Sequence, residues 1–198
     1  MLYITVILCL AALVFLPYEM VMLSRIFAVM KIKRLCRKND VEFKIINKFY
    51  PFSKNSNNKF DILLYIGRTT MPIKFFSSLY TTDTIIFDRW GKICTVRQYR
   101  EPLSRDGRKK LKTVRTVKKM PSMRLNKKLI RTSGYCFPVL LNVPSSKKVF
   151  ICDEKGNLSS FYDGAFKIEG CTFMEMSTLA DLISMYDEKA AYQQKTVK

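Results

Sequence analysis

The sequence predicts an α+β protein: an N-terminal transmembrane helix, then one domain of mainly antiparallel strands that closes on a C-terminal helix. Three patterns carry this. Residues 2–16 (LYITVILCLAALVFL) run without a charge. Two pairs of β-rich segments flank short turns, at Gly67-Arg68-Thr69-Thr70 and at Asp88-Arg89-Trp90-Gly91. Residues 177–186 (STLADLISMY) join a Ser/Thr cap signal to an apolar stripe of Leu179, Leu182, Ile183 and Tyr186.

The apolar run continues through Pro17, Tyr18, Met20, Val21, Met22 and Leu23, interrupted by Glu19. A helix needs about 20 residues to cross a hydrocarbon core, so residues 1–24 read as an anchor, with Tyr18 and Glu19 at the headgroups and Pro17 at a kink. A cleaved signal would carry a basic start and a small-residue cleavage site. This chain opens Met-Leu-Tyr, and the stretch after Leu16 reads PYEMVMLSRIF. Arg25, Lys31, Lys33, Arg34, Arg37 and Lys38 follow, with no acid between Glu19 and Asp40. The positive-inside rule then predicts a single-pass, N-out/C-in topology with the domain in the cytoplasm. Six cysteines without a CxxC pair fit a reducing compartment. The Asn157-Leu158-Ser159 sequon would be usable only on the lumenal side of a eukaryotic membrane and is discounted.

Within the rest, residues 25–40 read as a basic juxtamembrane helix stopped at Asn39-Asp40. Residues 41–187 read as the α+β domain and 188–198 as a frayed tail. Residues 41–48 alternate in part, and 51–59 (PFSKNSNNK) form a polar loop. The hairpins are 60–66 with 71–76 and 84–87 with 92–99. Residues 135–143 (YCFPVLLNV) look like a buried strand, and 148–152 pair across 153–157 with a short partner.

The net charge is +19, and it is concentrated. Residues 97–131 hold 14 basic and 2 acidic side chains, whereas 132–198 hold 7 and 8. An excess of this kind has to face water or a polyanion, because unpaired charges are costly to bury. The candidate polyanion-binding residues are Arg105, Arg108, Lys109, Lys110, Lys112, Arg115, Lys118 and Lys119, within a basic insertion at about 100–132 whose order the sequence leaves open. Lys31, Lys33, Arg34, Arg37 and Lys38 form a second, juxtamembrane group. An anionic lipid surface is the nearer partner, at about 1 kcal/mol per basic residue beside the leaflet. Nucleic acid is the second candidate, although residues 107–131 contain no aromatic to stack bases. Ahead of both stands a solvated, flexible insertion that contacts nothing specific. Thr113 and Thr116 lie in this run, where phosphorylation would cut the charge. No protein partner is identified.

The chain has no histidine, which removes the commonest general base and transition-metal ligand and every Ser-His or Cys-His nucleophile. Nucleotide-binding glycine motifs and EF-hand loops are absent, so no cofactor is expected. Ser145-Ser146-Lys147-Lys148 reads as a proline-led turn rather than a Ser-Lys nucleophile, and Asp153-Glu154 and Asp187-Glu188 read as solvated pairs. No catalytic activity is evident.

One pair of residues invites comparison with enzymes. Asp61 opens the first strand of a hairpin, and Lys74 ends the triplet Pro72-Ile73-Lys74 on the second. This arrangement, with the later strand at 137–143, resembles restriction-endonuclease-like nucleases and the nuclease-related domains found behind membrane anchors. The resemblance implies a site in which two carboxylates hold Mg²⁺ and a lysine stabilises charge on a phosphate. Pro72 stands where the second carboxylate belongs, so the resemblance implies a degenerate member, and Asp61 and Lys74 are the only catalytic candidates.

Overall fold

The computed structural model describes residues 2–52, 59–78, 82–88, 92–100, 111–119, 135–145, 148–152, 158–160, 167–168 and 170–195. The expected frame is present: a long N-terminal helix, strand-rich sheets and a C-terminal helix. Helix α1 runs from Leu2 to Lys38 without a break, through Pro17. It ends in a left-handed cap. Asp40 takes φ 48°, the Val41 N–H reaches back to the Cys36 carbonyl at 2.8 Å, and both Val41 and Cys36 are buried in the core. The Asn39-Asp40 stop is therefore where the sequence places it.

The strands are β1 (Glu42–Ile45), β2 (Ile62–Ile66), β3 (Thr69–Phe76), β4 (Thr84–Asp88), β5 (Lys92–Arg100), β6 (Leu111–Lys119), β7 (Tyr135–Cys136), β8 (Val139–Asn142), β9 (Lys148–Cys152), β10 (Leu158–Ser160), β11 (Lys167–Ile168) and β12 (Cys171–Met174). Helix α2 (Met176–Lys195) closes the chain. The first sheet has the order β1-β2-β3-β8-β12-β11, with β7 beside the start of β3. The second has the order β10-β9-β4-β5-β6.

Both expected hairpins form. In the first, Gly67 takes φ 56°, the positive value that a tight two-residue turn requires and a side chain would resist. The expected strand at 135–143 is split around Phe137-Pro138 into a short, exposed β7 and a fully buried β8. Pro72, inside β3, falls opposite that interruption: β7 pairs with Thr69 and Thr70, and β8 pairs from Ile73 onward.

The central strands β3, β8 and β12 run parallel, whereas the sequence pattern suggests antiparallel pairing throughout. Parallel neighbours need a crossover of a dozen residues or more, usually a helix. Here the crossovers are strands: β4, β5 and β6 lie between β3 and β8, and β9 and β10 lie between β8 and β12. These crossover strands form the second sheet.

The result is three layers. On one face of the first sheet, Ala28, Val29, Ile32 and Cys36 of α1 and Leu179 and Ile183 of α2 pack on Ile73, Phe75, Val139, Leu141 and Met174. On the other face, Phe76, Leu140 and Phe173 meet Ile85, Phe87 and Ile93 of the second sheet. Phe173 stacks edge-on to Phe87 at 4.7 Å between ring centroids, with Phe76 at 6.0 Å. Strands β8 and β12 are buried along their whole length because both their faces are covered, which is why they read as continuous apolar runs.

Two expectations about the C-terminus change. Residues 188–195, read as a tail, belong to α2. Leu182, placed on the packed face by spacing, is 37% exposed, since only Leu179 and Ile183 reach the core. The Tyr186 side chain lies outside the described ones.

Among the described residues no helix is long and apolar enough to cross a membrane. The side chains at 2, 4 and 7–14, most of the uncharged run, are not among them. Met1, the 53–58 loop and the turns at 89–91 and 153–157 also lie outside the described residues.

Truncating Phe173 to alanine is expected to destabilise the domain by about 3–5 kcal/mol through cavity formation, whereas Leu182→Ala should cost well under about 1 kcal/mol. Chemical denaturation of the two variants checks the layer assignment.

Candidate functional site

The hairpin β2–β3 brings Asp61 and Lys74 together. Asp61 immediately precedes β2, and the Lys74 ammonium donates to Asp61 Oδ1 at 3.3 Å, with both side chains out of contact with solvent. The rest of the carboxylate is also engaged. Asn47 Nδ2 donates to Oδ1 at 2.9 Å, and the backbone N–H of Phe75 donates to Oδ2 at 2.8 Å. The Asp61 carbonyl accepts from the N–H groups of Ile46 and Asn47, both at 3.0 Å, and the Asp61 N–H donates to the Ile73 carbonyl at 2.8 Å. The side chain thus substitutes for a strand at the point where β1 leaves β2. That satisfies a backbone donor which would be costly to bury unpaired.

Arg25, counted from the sequence as part of the exposed juxtamembrane flank, is instead buried, at 3% exposure. Its Nε donates to Ser77 Oγ at 2.8 Å and one terminal nitrogen reaches the Tyr50 carbonyl at 3.4 Å. Ser77 Oγ in turn donates to the Val143 carbonyl. This chain of bonds ties α1 to the ends of β3 and β8. Burial holds the guanidinium below its ordinary value, and the Asp61 charge works in the opposite direction. Burial likewise pulls the Lys74 ammonium below 10.5, by more than Asp61 restores, and Arg25 adds to the lowering.

Chemically, this arrangement favours structure over turnover. Oδ1 of Asp61 already accepts two hydrogen bonds and Oδ2 one, so a divalent cation would compete with Lys74, Asn47 and the Phe75 amide for the carboxylate. Pro72 supplies no ligand, and the described residues contain no group of three acidic, cysteine or histidine side chains that could hold a metal. An open cleft of about 340 Å³ lies between α1, the segment after β8 and the start of α2, lined by Ser24, Phe27, Lys31, Pro144, Ser145 and Met176 among others. Neither Asp61 nor Lys74 lines it.

Asn142 is another buried polar group that the sequence reading did not single out. It ends β8 opposite Phe76, and neither of its side-chain polar atoms has a hydrogen-bond partner. Asp83 is a third. It is buried, accepts Nε and one terminal nitrogen of Arg97 at 2.8 and 3.2 Å, and accepts Ser78 Oγ at 2.6 Å. Ser78 follows β3 in the first sheet while Asp83 and Arg97 belong to the second, so this cluster joins the two sheets. It also removes Arg97 from the free charge of the basic segment. Nothing in the sequence distinguishes Asp83 or Arg97 from solvated charges, because their partners lie on other elements.

The basic residues divide into two places. Lys31, Lys33, Arg34, Arg37 and Lys38 are exposed on the last turns of α1, as expected. Of the insertion at 100–132, residues 111–119 are not loose chain but strand β6, paired with β5 along its whole length. The β-branched pairs Thr113-Val114 and Thr116-Val117 give β6 its strand propensity despite the surrounding charge. Arg115 is exposed, and its Nε donates to Cys94 Sγ at 3.0 Å. Lys112, Lys118 and Lys119 lie in β6 with side chains outside the described ones, and Arg105, Arg108, Lys109 and Lys110 lie outside the described residues altogether. Ser145 Oγ donates to the Asn142 carbonyl at 3.5 Å, in keeping with a turn. Ser146, Lys147 and Asn157 are outside the described residues.

Cys36, Cys94, Cys136, Cys152 and Cys171 are free thiols. Burial pushes Cys36 up to about 11, which makes it a poor nucleophile. No protein-family model, no curated protein and no solved structure matches this chain.

Asp61→Ala is expected to cost about 3–5 kcal/mol of stability, because it strands a buried ammonium and a backbone N–H. The pH dependence has a defined sign. Between the lowered value of Lys74 and 10.5, the unfolded chain binds more protons than the folded one, so stability rises with pH in that window. Denaturation of Lys74→Met across that range should lack the rise, and an unchanged profile would show that Lys74 does not titrate with folding.

Proposed function

We propose that this chain is a single-pass membrane protein, N-out/C-in, whose basic cytosolic domain is a non-enzymatic interaction module. The observation that carries the reading is how α1 is shared between two surroundings. Among its described side chains, none before Arg25 is buried, and Val6, Phe15, Leu16, Tyr18, Met20 and Leu23 are large, apolar and exposed. From Arg25 onward the same helix is built into the core. An apolar helix of about 23 residues, roughly 35 Å at 1.5 Å per residue, matches the hydrocarbon thickness of a bilayer with slight tilt. The exposed Lys31, Lys33, Arg34, Arg37 and Lys38 then meet the headgroups of the inner leaflet, where anionic lipid favours them.

A second reading, a degenerate nuclease-like domain, has one supporting observation: Asp61 and Lys74 are adjacent on neighbouring strands, as the resemblance requires. The occupied carboxylate and Pro72 favour a member that has kept the pair as a structural element and lost the metal. In that case millimolar Mg²⁺ leaves the melting temperature of the protein unchanged; a clear rise that Asp61→Asn abolishes would restore an active site.

The membrane reading is tested on the full chain reconstituted into vesicles. It should resist extraction by alkaline carbonate, and protease added outside should reach the domain from one side only. Replacing the five juxtamembrane cations by glutamine should leave carbonate resistance intact while reducing the preference for anionic over neutral vesicles. Release of the unmodified chain by carbonate would sink the proposal. Any soluble fragment used alongside must retain the helix from about Ser24, because Arg25, Ala28 and Val29 belong to the core.

A further inference from the structure

We propose that the outer edge of β6 is a docking site for an extended acidic segment of a partner protein, which adds a sixth strand to the second sheet. The inference rests on the interaction-module reading and names the partner chemistry it leaves open. Strand β6 is nine residues long, about 30 Å, and is the last strand of its sheet, paired on one side with β5 and on the other with nothing among the described residues. Thr113, Val114, Arg115, Thr116 and Val117 are all exposed, on both faces of the strand. A sheet edge of this length is a template for strand addition, in which main-chain bonds give affinity and side chains on alternate faces give selectivity.

Charge decides between occupants. Strand β6 carries Lys112, Arg115, Lys118 and Lys119 and no acid. A second copy paired antiparallel about the strand centre would set Arg115 opposite Arg115 and Lys112 opposite Lys118. Shifting the register by one residue in one direction sets Lys112 opposite Lys119, and in the other opposes no two basic residues of β6. Like charges directly opposite are destabilising, so the centred pairing of two copies is disfavoured. A partner with glutamate or aspartate at the matching positions turns each of those contacts favourable. The exposed Val114 and Val117, 43% and 52% accessible and on opposite faces, offer apolar contacts that neither a phosphate backbone nor a headgroup layer would use.

The test uses the full chain in phosphatidylcholine nanodiscs and a nine-residue fluorescent peptide with the β6 pattern but glutamate at every basic position. This peptide is expected to bind, more weakly as salt rises. N-methylating alternate backbone amides, which keeps the charge and removes several hydrogen bonds of about 1 kcal/mol each, should weaken binding at least about tenfold. So should Arg115→Glu, whose fold is verified by thermal unfolding. Equal binding of the methylated peptide would reduce the contact to unspecific charge attraction and overturn the proposal. So would an absence of binding, or Arg115-dependent binding of phosphatidylglycerol vesicles or a mixed oligonucleotide pool without binding of the peptide. If the chain fails to enter nanodiscs but binds the peptide in detergent, the membrane reading falls and the edge-strand site stands.

Discussion

The interaction on which the fold turns is the carboxylate of Asp61, fully buried among four elements. It caps the Phe75 amide in β3, receives the Lys74 ammonium and takes the Asn47 side chain that follows β1. The charge of Arg25 on α1 lies within its field. A buried carboxylate is tolerable only when it is hydrogen-bonded and a cation is near, and here two side chains and one backbone amide of the domain supply both. The result is a polar joint that fixes where β1 departs, how β2 and β3 align and where α1 crosses their ends. Any ion that entered here would have to compete with Lys74, Asn47 and the Phe75 amide for the same two oxygens.

Helix α1 belongs to the domain as fully as to any anchor. Its last four turns contribute Arg25, Ala28, Val29, Ile32 and Cys36 to the core, and the bond chain Arg25–Ser77–Val143 locks it against the ends of β3 and β8. An element that is rigid by its own hydrogen bonds and fixed at one end leaves the domain little freedom to swing on a linker. Under the proposed topology, this holds the basic turns of α1 at a set depth and orients the second sheet relative to the membrane. Interaction surfaces on that sheet would then be presented at a fixed angle rather than on a tether.

The second sheet is what distinguishes this architecture. Its strands are the crossovers between parallel neighbours of the first sheet, a task usually given to helices. One face of the first sheet is therefore covered by two helices, and the other by β4, β5 and their neighbours through Phe76, Phe87 and Phe173. A sheet used as a crossover has edges, and β6 is one of them. Its four basic side chains disfavour the centred pairing of two copies and, under the proposal, suit a segment of opposite charge.

Local structure was largely legible in the chain because its causes are local. The uncharged run, the stop at Asn39-Asp40 and the turn at Gly67 each follow from neighbouring residues, whereas Ser177 and Thr178, read as a cap, lie inside the first turn of α2. The concentration of positive charge follows from composition alone. What the sequence could not reveal depends on partners far away in the chain. Arg25 looked like one more flanking cation until its contacts with Ser77 and Tyr50 buried it. Arg97 looked like part of a free basic run until Asp83 and Ser78 paired it. The order of residues 111–119 stayed open because their charge masked two β-branched Thr-Val pairs that pairing with β5 makes decisive. Asp61 and Lys74 could be suspected as a pair, but only the folded hairpin, with Asn47 and the Phe75 amide in place, decided that the carboxylate was already full. Hydrophobicity, caps and turns act over a few residues and can be read along a line, whereas the burial and pairing of charge depend on which elements meet, and those meetings exist only in the tertiary structure.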